Sequence, residues 1–350
     1  MQKKLKISNK IIDENSPTFI IAEVSANHLQ SFDNAVKIIK EAKKAGADAI
    51  KLQTYTPDTI TLDCDREYFK VNQGTIWDGT TLYKLYQEAF TPWEWQPKLK
   101  TIAEQEGLMF FSSPFDTTAV DFLEKMDVPA YKIASFEITD IPLIEYIASK
   151  RKPIIISTGI ATLSDIEEAL NACIRMGNNQ VALLKCTSAY PSALEDINLR
   201  VIPNMEDTFG TVVGLSDHTL GHTVALGAVA LGAKIVEKHI TLNRADGGPD
   251  ASFSMEPDEF KEMVTRIREL EKALGYITYE LTDSQKKSRE HSRSLFIVKD
   301  IKKGEIFTEE NIKSIRPGFG LPTKYIKDIL GKRARKDILK GTPINWSLIE

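Results

Sequence analysis

Short apolar runs, rich in β-branched residues, alternate along this chain with segments of helical periodicity. Uninterrupted apolar runs of roughly four to eight residues are typical of parallel strands buried on both faces. The helical segments carry start and stop signals, as in residues 34–46, which end at Gly46, and in residues 162–177. The runs are TFIIAEVS (18–25), ADAIKLQT (47–54), LMFFSSP (108–114), AYKIAS (130–135), PIIISTG (153–159), VALLKCT (181–187), TVVGLSD (211–217) and KIVEKH (234–239).

Eight such runs, each followed by a helical segment, predict a (β/α)8 barrel whose last helix covers residues 257–275. A doubly wound open sheet is the alternative, but the chain carries neither GxGxxG nor GxxxxGK[ST]. Residues 3–13 alternate in a way that predicts a hairpin. The second βα connection, residues 55–90, is unusually long, so we expect it at the barrel mouth or in packing and oligomer contacts.

The charge balance changes towards the end of the chain. Residues 286–350 hold sixteen Lys and Arg but eight Asp and Glu, a local charge of +8, against −4 for all 350 residues. Helical periodicity also stops near Leu274. Both changes predict a domain boundary near 276–290. Such a basic module is compatible with a nucleic-acid or membrane patch, with a cover for an anionic site on another subunit, or with a solvated face.

Overall charge and cysteine usage limit the class of protein. A net charge of −4 gives no reason to expect nucleic acid as a general partner. No apolar run approaches the roughly 20 residues that span a bilayer, and the first residues lack the apolar core of a signal peptide. Cys64, Cys173 and Cys186 are widely spaced and odd in number. This pattern favours reduced thiols in a cytoplasmic protein.

Two histidines end neighbouring apolar runs, VVGLSDH (212–218) and AKIVEKH (233–239). A helical stretch separates the runs, so they form a βαβ unit whose parallel strands lie roughly 4.8 Å apart. His218 and His239 then emerge at the same sheet edge, where α/β proteins carry their chemistry. We therefore expect a divalent-metal site. The alternative is that each is a hydrogen-bonded structural histidine.

Polar or ionisable side chains end nearly every predicted strand. Lys51 and Lys132 directly follow apolar residues on different strands, and two ammonium groups at the mouth suit a substrate with phosphate or carboxylate groups. A Schiff-base lysine is the competing interpretation, whereas the histidine pair favours metal activation of a carbonyl. Candidates for acid–base chemistry are Glu23, Glu137, Asp217, Glu237 and Asp250. The other strand-end residues are Gln53, Ser112, Ser113, Ser135, Ser157, Thr158, Lys185, Ser188 and Ser216.

Along almost its whole length the chain resembles the sialic acid synthase family. That resemblance implies a (β/α)8 catalytic barrel over residues 1–280, a linker over 281–293, and a small domain similar to type III antifreeze protein, the SAF domain, over 294–350. It also implies an enzyme that condenses phosphoenolpyruvate with an amino sugar to give a nine-carbon 2-keto acid and phosphate. The segments that carry it are FIIAEVSANH (19–28), ADAIKLQTY (47–55), SSPFD (112–116), PAYKIAS (129–135), PIIISTG (153–159), LLKCTSAYP (183–191), GLSDHT (214–219), EKHIT (237–241), GGPDASFSM (247–255) and RPGFG (316–320).

Within the family, two segments look like the pseudaminic acid synthase branch: residues 73–95 and LNRADGGPDASFS (242–254). Lys185 also stands where the N-acetylneuraminate enzymes typically have histidine. The resemblance therefore implies 2,4-diacetamido-2,4,6-trideoxy-altrose as the acceptor sugar. N-acetylneuraminate or legionaminate synthesis is the alternative within the family. More remote alternatives are a metal-dependent pyruvate aldolase and a non-catalytic sugar-acid sensor.

The resemblance also implies roles for single residues. His218 and His239 bind the metal, Mn²⁺, with Mg²⁺ or Co²⁺ as alternatives. Arg316 of the small domain enters the barrel of the partner in a domain-swapped homodimer. The implied catalytic residues are Glu23, Lys51, Lys132, Glu137 and Asp250. The implied substrate-binding residues are Gln53, Ser113, Ser135, Ser157, Ser188, Tyr190, Ser216 and Arg316.

The implied mechanism begins when the metal polarises the sugar aldehyde and C3 of phosphoenolpyruvate attacks it. Water then captures the cation at C2, and the adduct expels phosphate by C–O cleavage. Glu23 is the first candidate for the water proton and Asp250 the second.

Overall fold

The computed structural model describes residues 1–72 and 74–350. They form two compact units, Met1–Gly275 and Tyr276–Glu350. The first unit therefore ends five residues before the predicted barrel limit at 280, and the predicted linker, 281–293, contains a helix of the second unit. Each unit is described by itself below.

The first unit opens with the hairpin predicted for residues 3–13. Strands β1 (Leu5–Ile7) and β2 (Lys10–Ile12) pair antiparallel. The following eight parallel strands, among the described residues, close into a barrel in the order β10-β3-β4-β5-β6-β7-β8-β9. Each strand falls inside one of the eight apolar runs, so the predicted (β/α)8 barrel is confirmed. The barrel strands are β3 (Phe19–Glu23), β4 (Ala49–Thr54), β5 (Met109–Pro114), β6 (Tyr131–Ile133), β7 (Ile154–Ser157), β8 (Val181–Cys186), β9 (Val212–Asp217) and β10 (Ile235–His239).

Helices surround the barrel and begin and end where local chemistry allows. The Ser31 side chain accepts a hydrogen bond from the Asn34 backbone amide and caps the first long helix, which ends at Gly46 with φ of 92°. In the 163–175 helix, Thr162 and Asp165 form a capping box. The helices are α1 (Phe32–Ala45), α2 (Pro57–Ile60), α3 (Leu82–Ala89), α4 (Gln96–Gln105), α5 (Thr117–Lys125), α6 (Ile141–Ser149), α7 (Leu163–Arg175), α8 (Val201–Phe209), α9 (Thr223–Ala230) and α10 (Pro257–Leu274).

Strand register decides which side chains meet inside the barrel. His239 pairs with Glu23, and Glu23 pairs with Lys51, so these three residues occupy one level across β10, β3 and β4. On the other side of β10, Glu237 pairs with Ser216. Because successive side chains on a strand point to opposite faces, residues two apart share a face. The register therefore brings charged side chains from several strands to one end of the barrel.

The second unit has its own apolar core, which includes Leu295, Ile297, Phe307 and Ile312. Strands β11 (Ser294–Ile297) and β12 (Ile312–Ile315) pair antiparallel. Two short helices complete its regular elements, α11 (Asp283–Arg289) and α12 (Ile326–Ile329). Within the described part of the chain, no helix combines the length and apolarity needed to cross a membrane.

Candidate active site

Two lysines and two glutamates form a buried charge cluster at the carboxyl ends of the barrel strands. The ammonium nitrogen of Lys51 lies 2.5 Å from a Glu23 oxygen and 3.5 Å from Oε1 of Glu237. The Lys132 ammonium lies 3.8 Å from the same Oε1. All four side chains are buried. Buried charges persist in proteins where they are paired, and the cluster satisfies this condition with equal numbers of each sign.

Burial and the neighbouring charges shift the pKa values of this cluster in opposite directions. Burial raises the pKa of Glu23 to about 7, although Lys51 opposes the shift. Burial alone would also raise the pKa of Glu237, but Lys132 and Lys51 outweigh it and the pKa falls. For Lys132, burial is stronger than the attraction of Glu237 and lowers its pKa. Glu23 is therefore the member of the cluster that gains or loses a proton near neutral pH.

Hydroxyl groups surround the two lysines. Lys132 donates to Ser157 Oγ at 2.6 Å and to the Ile133 carbonyl at 3.0 Å. Lys51 donates to Ser113 Oγ at 3.4 Å. Ser216 Oγ donates to Glu237 Oε1 at 3.1 Å. Ammonium and hydroxyl donors at such spacing suit the oxygens of a phosphate or carboxylate.

Gly159 was not among the predicted site residues, yet its lack of a side chain lets the hydroxyl groups of two further serines lie close to it. Its backbone amide donates to Ser135 Oγ at 3.1 Å. A Cβ at this position would lie 2.2 Å from Ser188 Oγ and 2.7 Å from Ser135 Oγ. A larger residue would therefore push both hydroxyls away. The glycine in the STG motif was the signal for this close approach.

The predicted histidine pair lies together at the same end of the barrel. The rings of His218 and His239 have centroids 5.3 Å apart and are buried. His218 Nδ1 lies 3.2 Å from the Thr187 carbonyl, which accepts its proton and leaves Nε2 available as a ligand atom. Burial lowers the pKa of His239 well below its usual value, so this imidazole is neutral.

The ring nitrogens of the two histidines suit a divalent metal as two of its ligands. His239 Nδ1 is buried without a hydrogen-bond partner among the described residues, and Oδ2 of Asp250 lies 3.9 Å from it. Neutral imidazole nitrogens are common ligands of transition metals. Within residues 1–72 and 74–350, no three His, Cys, Asp or Glu side chains converge on one point. A metal held here would therefore draw its remaining ligands from water or substrate.

Other predicted residues frame the space next to the histidines. The Ala26 backbone amide donates to Asp250 Oδ2 at 3.4 Å, and Gln53 Nε2 donates to Ser25 Oγ at 3.0 Å. Burial raises the pKa of Glu137 to about 7, and its Oε2 has no partner in the described structure. The carboxyl groups of Asp250 and Glu137 can accept or donate protons to a bound molecule, and the Gln53 amide can only form hydrogen bonds.

Aromatic rings line one side of the histidine pair. The Tyr190 ring lies 4.6 Å from that of His218 and 5.3 Å from those of Phe253 and Trp77. The Phe253 ring lies 5.0 Å from that of His239. We call Trp77, Tyr190 and Phe253 the aromatic wall. Trp77 comes from the long second βα connection, so this part of the connection lies at the barrel mouth.

Asp217, one of the predicted acid–base candidates, is paired away from the site. Asp217 forms an ion pair of 2.6 Å with Lys238, and both side chains are fully buried. Lys238 also donates to the Thr219 carbonyl at 2.6 Å, while Asp217 Oδ1 accepts from the Thr219 amide and hydroxyl. Its neighbours Ser216 and His218 belong to the site. Asp217 is therefore fully used by local contacts, and the expectation that it serves acid–base chemistry is wrong.

Two residues of the site, Glu237 and Cys186, were not singled out from the sequence. Glu237 faces both lysines, although the sequence marked it merely as one of several carboxylates. Cys186 Sγ lies 3.8 Å from His218 Nδ1. Both residues stand near strand ends in the sequence: Glu237 two residues before His239, and Cys186 within the LLKCT motif. These positions were the available signals.

Arg316, predicted to bind substrate, lies in the second unit, directly after β12, with an exposed side chain.

Comparison with known proteins shows where this chain belongs. A model described as the NeuB family matches residues 38–279, and a SAF domain model matches residues 292–350. The chain is 49% identical over 329 residues to a pseudaminic acid synthase of Campylobacter jejuni strain 81-176, covering 94% of this chain and 96% of that protein. It is 37% identical over 324 residues to an N,N'-diacetyllegionaminic acid synthase of Campylobacter jejuni strain ATCC 700819, covering 91% and 96%.

Among solved structures, the N-acetylneuraminic acid synthetase of Leptospira borgpetersenii in complex with citrate is similar, with a TM-score of 0.73 and 33% identity. That match covers 82% of this chain and 95% of the other. The predicted resemblance to sialic acid synthases is thereby confirmed. The chain is an enzyme of the NeuB family with a SAF domain in its C-terminal part.

Proposed function

We propose that this enzyme condenses phosphoenolpyruvate with 2,4-diacetamido-2,4,6-trideoxy-altrose and water, giving pseudaminic acid and phosphate. The observation that carries the proposal is the buried Lys51–Lys132 pair beside the two buried histidines, His218 and His239. The lysines and their serine neighbours suit the phosphate and carboxylate of phosphoenolpyruvate, while the histidines suit a metal ion near a carbonyl. The choice of acceptor is supported by 49% identity to a pseudaminic acid synthase, against 37% to a legionaminic acid synthase.

An anionic substrate must compete with Glu23 and Glu237 for the two lysines. Ionised Glu23 gains little from its pairing with Lys51, because burial outweighs that attraction and raises the pKa of Glu23 to about 7. Glu237 stays ionised beside Lys132 and fixes the separation of the two ammonium groups. We infer that binding of phosphoenolpyruvate shifts Lys51 from Glu23 to the substrate. Glu23 is then free to act on a proton.

The proposed metal, Mn²⁺ with Mg²⁺ or Co²⁺ as alternatives, would be held by His218 and His239. When bound, it supplies Lewis-acid polarisation of the sugar aldehyde. Asp250 and Glu137 border this space and would orient the open-chain sugar.

In the proposed reaction, a carbon–carbon bond forms first and phosphate leaves last. The C3–C2 π electrons of phosphoenolpyruvate form a bond to the aldehyde carbon, and the aldehyde oxygen takes up a proton from solvent to become a hydroxyl. Water adds to the cation at C2 and gives up a proton, which we assign to Glu23. The C2 hydroxyl then forms the keto group while the bond between C2 and the bridging oxygen breaks, so that phosphate leaves with that oxygen and takes the hydroxyl proton. Lys51 and Lys132 neutralise the charge that develops on it.

The assignment of Glu23 predicts a pH dependence. A base must be ionised to accept the water proton, so kcat/KM is expected to fall as the pH drops below about 7, the pKa of Glu23. Glu23→Gln removes the base and is expected to abolish this acidic limb along with most of the rate. Glu137→Gln is the matched control, because burial gives Glu137 a pKa of about 7 as well. If the fall of kcat/KM at acidic pH disappears in Glu137→Gln, the base is Glu137 and the assignment of Glu23 is wrong.

A phosphate-release assay with a panel of acceptors tests the proposed function. The diacetamido-trideoxy-altrose is expected to give phosphate and a nonulosonic acid in equal amounts. N-acetylmannosamine and the legionaminate precursor test the alternative acceptors. Product formation from pyruvate without phosphate would support an aldolase instead. Ligand binding without turnover on any acceptor would support a sugar-acid sensor.

We further propose that the enzyme works as a domain-swapped homodimer. Large apolar side chains stand exposed in the connections that follow four neighbouring barrel strands, and a second copy would cover them. They are Phe136, Ile160, Leu163, Leu194 and Leu220. The exposed Arg316 would then act on the barrel of the partner.

Complementation between two inactive variants tests this arrangement. Arg316→Ala chains and Lys132→Ala chains are expected to regain activity when refolded together, because the mixed dimer combines one intact barrel with one intact Arg316. Phosphate release that stays at the level of the separate variants would exclude action in trans.

A further inference from the structure

The aromatic wall extends from the histidine pair towards the rim of the site. Tyr190 lies next to His218, with ring centroids 4.6 Å apart, and Trp77 lies beyond it at 5.3 Å from Tyr190. Phe253 closes the same side behind His239. Phe253 is buried, whereas Trp77 and Tyr190 are partly exposed. The wall thus offers an apolar surface that begins at the proposed aldehyde position and continues outward.

Trp77 is held in place by contacts that do not use its ring face. Its indole Nε1 donates to the Pro249 carbonyl at 2.8 Å. The surrounding segment is closed on itself, because the Val71 amide donates to the Thr80 carbonyl and the Gly79 amide to the Val71 carbonyl. The polar atom of the side chain is therefore occupied. The ring face is left as an apolar contact surface.

An open-chain hexose is long enough to extend from the histidines along the wall beyond Tyr190. Five C–C bonds of roughly 1.5 Å each span roughly 6 Å when extended. A sugar with its aldehyde carbon beside His218 therefore spans the 4.6 Å to the Tyr190 ring and directs its last carbon towards Trp77. The Trp77 ring presents no free polar atom, because its indole N–H already donates to the Pro249 carbonyl, so it is a face at which a sugar can place carbon without oxygen.

We propose that Trp77 and Tyr190 form an apolar subsite for the deoxygenated sixth carbon of the acceptor, and that Trp77 selects against a hydroxyl there. This inference rests on the proposed function, and it names the structural origin of the acceptor choice. A methyl group packed on the rings is removed from water without loss of hydrogen bonds. A hydroxyl in the same place leaves water and meets rings whose polar atom already has a partner.

Two acceptors that differ in one atom test this subsite. They are the 2,4-diacetamido-2,4,6-trideoxy sugar and the same sugar with a hydroxyl on carbon 6. The native enzyme is expected to prefer the 6-deoxy sugar by roughly 10–100-fold in kcat/KM, the range that an apolar pocket achieves against an added hydroxyl. Trp77→Gln is expected to lower this ratio by roughly tenfold, whereas Trp77→Phe keeps it.

Trp93→Gln is the matched control. The Trp93 indole also donates to a backbone carbonyl, that of Tyr55 at 3.0 Å, but its ring packs on Phe122 away from the wall. It is expected to leave the ratio unchanged. If Trp77→Gln unfolds, Trp77→His places a smaller polar ring there and must lower the ratio in the same direction.

The outcomes separate the subsite from the proposed function. A native enzyme that releases phosphate with the 6-deoxy sugar, but whose ratio is unchanged in the Trp77 variants, would overturn the subsite alone. A native enzyme that releases no phosphate with either sugar would overturn the proposed function and the subsite with it.

Discussion

His239→Ala is expected to lose bound metal and to lower turnover by roughly 10³-fold. Charge stabilisation at a carbonyl by a Lewis acid is worth several kcal/mol, and each 1.36 kcal/mol or so is a factor of ten in rate. The variant removes one of the two imidazoles that lie 5.3 Å apart, and no third described side chain converges on the site to replace it. Metal content after chelation and reloading with Mn²⁺, measured together with phosphate release, checks both effects.

His222→Ala is the matched control for this variant. His222 is partly exposed and precedes helix α9, four residues after His218. It is expected to leave metal content and turnover unchanged. Full activity of His239→Ala in chelator-treated buffer would show that the metal assignment is wrong.

Lys238→Ala is expected to lower the free energy of unfolding by about 3–5 kcal/mol, the usual cost of breaking a buried ion pair. The Lys238 ammonium and the Asp217 carboxylate are both fully buried and lie 2.6 Å apart. Removing the ammonium leaves the Asp217 charge buried beside Thr219, which donates to one of its two oxygens. Equilibrium unfolding in urea measures the loss.

Replacing both partners separates the pair from its packing. Asp217→Leu combined with Lys238→Met removes both charges and keeps apolar volume, so it is expected to recover most of the lost stability. Arg266→Ala is the surface control, because Arg266 pairs with Glu262 and Glu269 on the exposed face of helix α10, where such pairs contribute little. Equal stability of Lys238→Ala and the native protein would contradict the account of this pair.

The barrel could be predicted because its strands are buried on both faces. Such strands leave continuous apolar runs, and all eight runs contain a barrel strand. The hairpin at residues 5–12 and the end of helix α1 at Gly46 followed from alternation and from glycine chemistry. Local sequence determines these features, so they needed no knowledge of distant contacts.

The orientation of single side chains was harder to predict. Ser216, Asp217 and His218 are consecutive strand-end residues, yet Asp217 pairs with Lys238 while its neighbours belong to the site. The two-residue period of a strand separates neighbours onto different faces, but the bend at a strand end can interrupt that period. The prediction from strand-end residues therefore wrongly included Asp217 as an acid–base candidate. It also did not distinguish Glu237, which contacts both lysines, from the other carboxylates.

Contacts between distant segments lay beyond sequence reasoning. Trp77 meets Tyr190 and Pro249, which lie more than a hundred residues further along the chain. The length of the 55–90 connection indicated a place at the mouth, but not which of its side chains would reach the site. The close approach of Ser188 and Ser135 at Gly159 likewise depends on three strands at once.

Labelled phosphoenolpyruvate tests the central claim most directly. The enzyme is incubated with the diacetamido-trideoxy-altrose and with phosphoenolpyruvate that carries oxygen-18 in the bridging position. Condensation with C–O cleavage predicts that phosphate forms in equal amount to the nonulosonic acid and that it contains the label. Label found in the keto acid, or product formed without phosphate, would contradict the account.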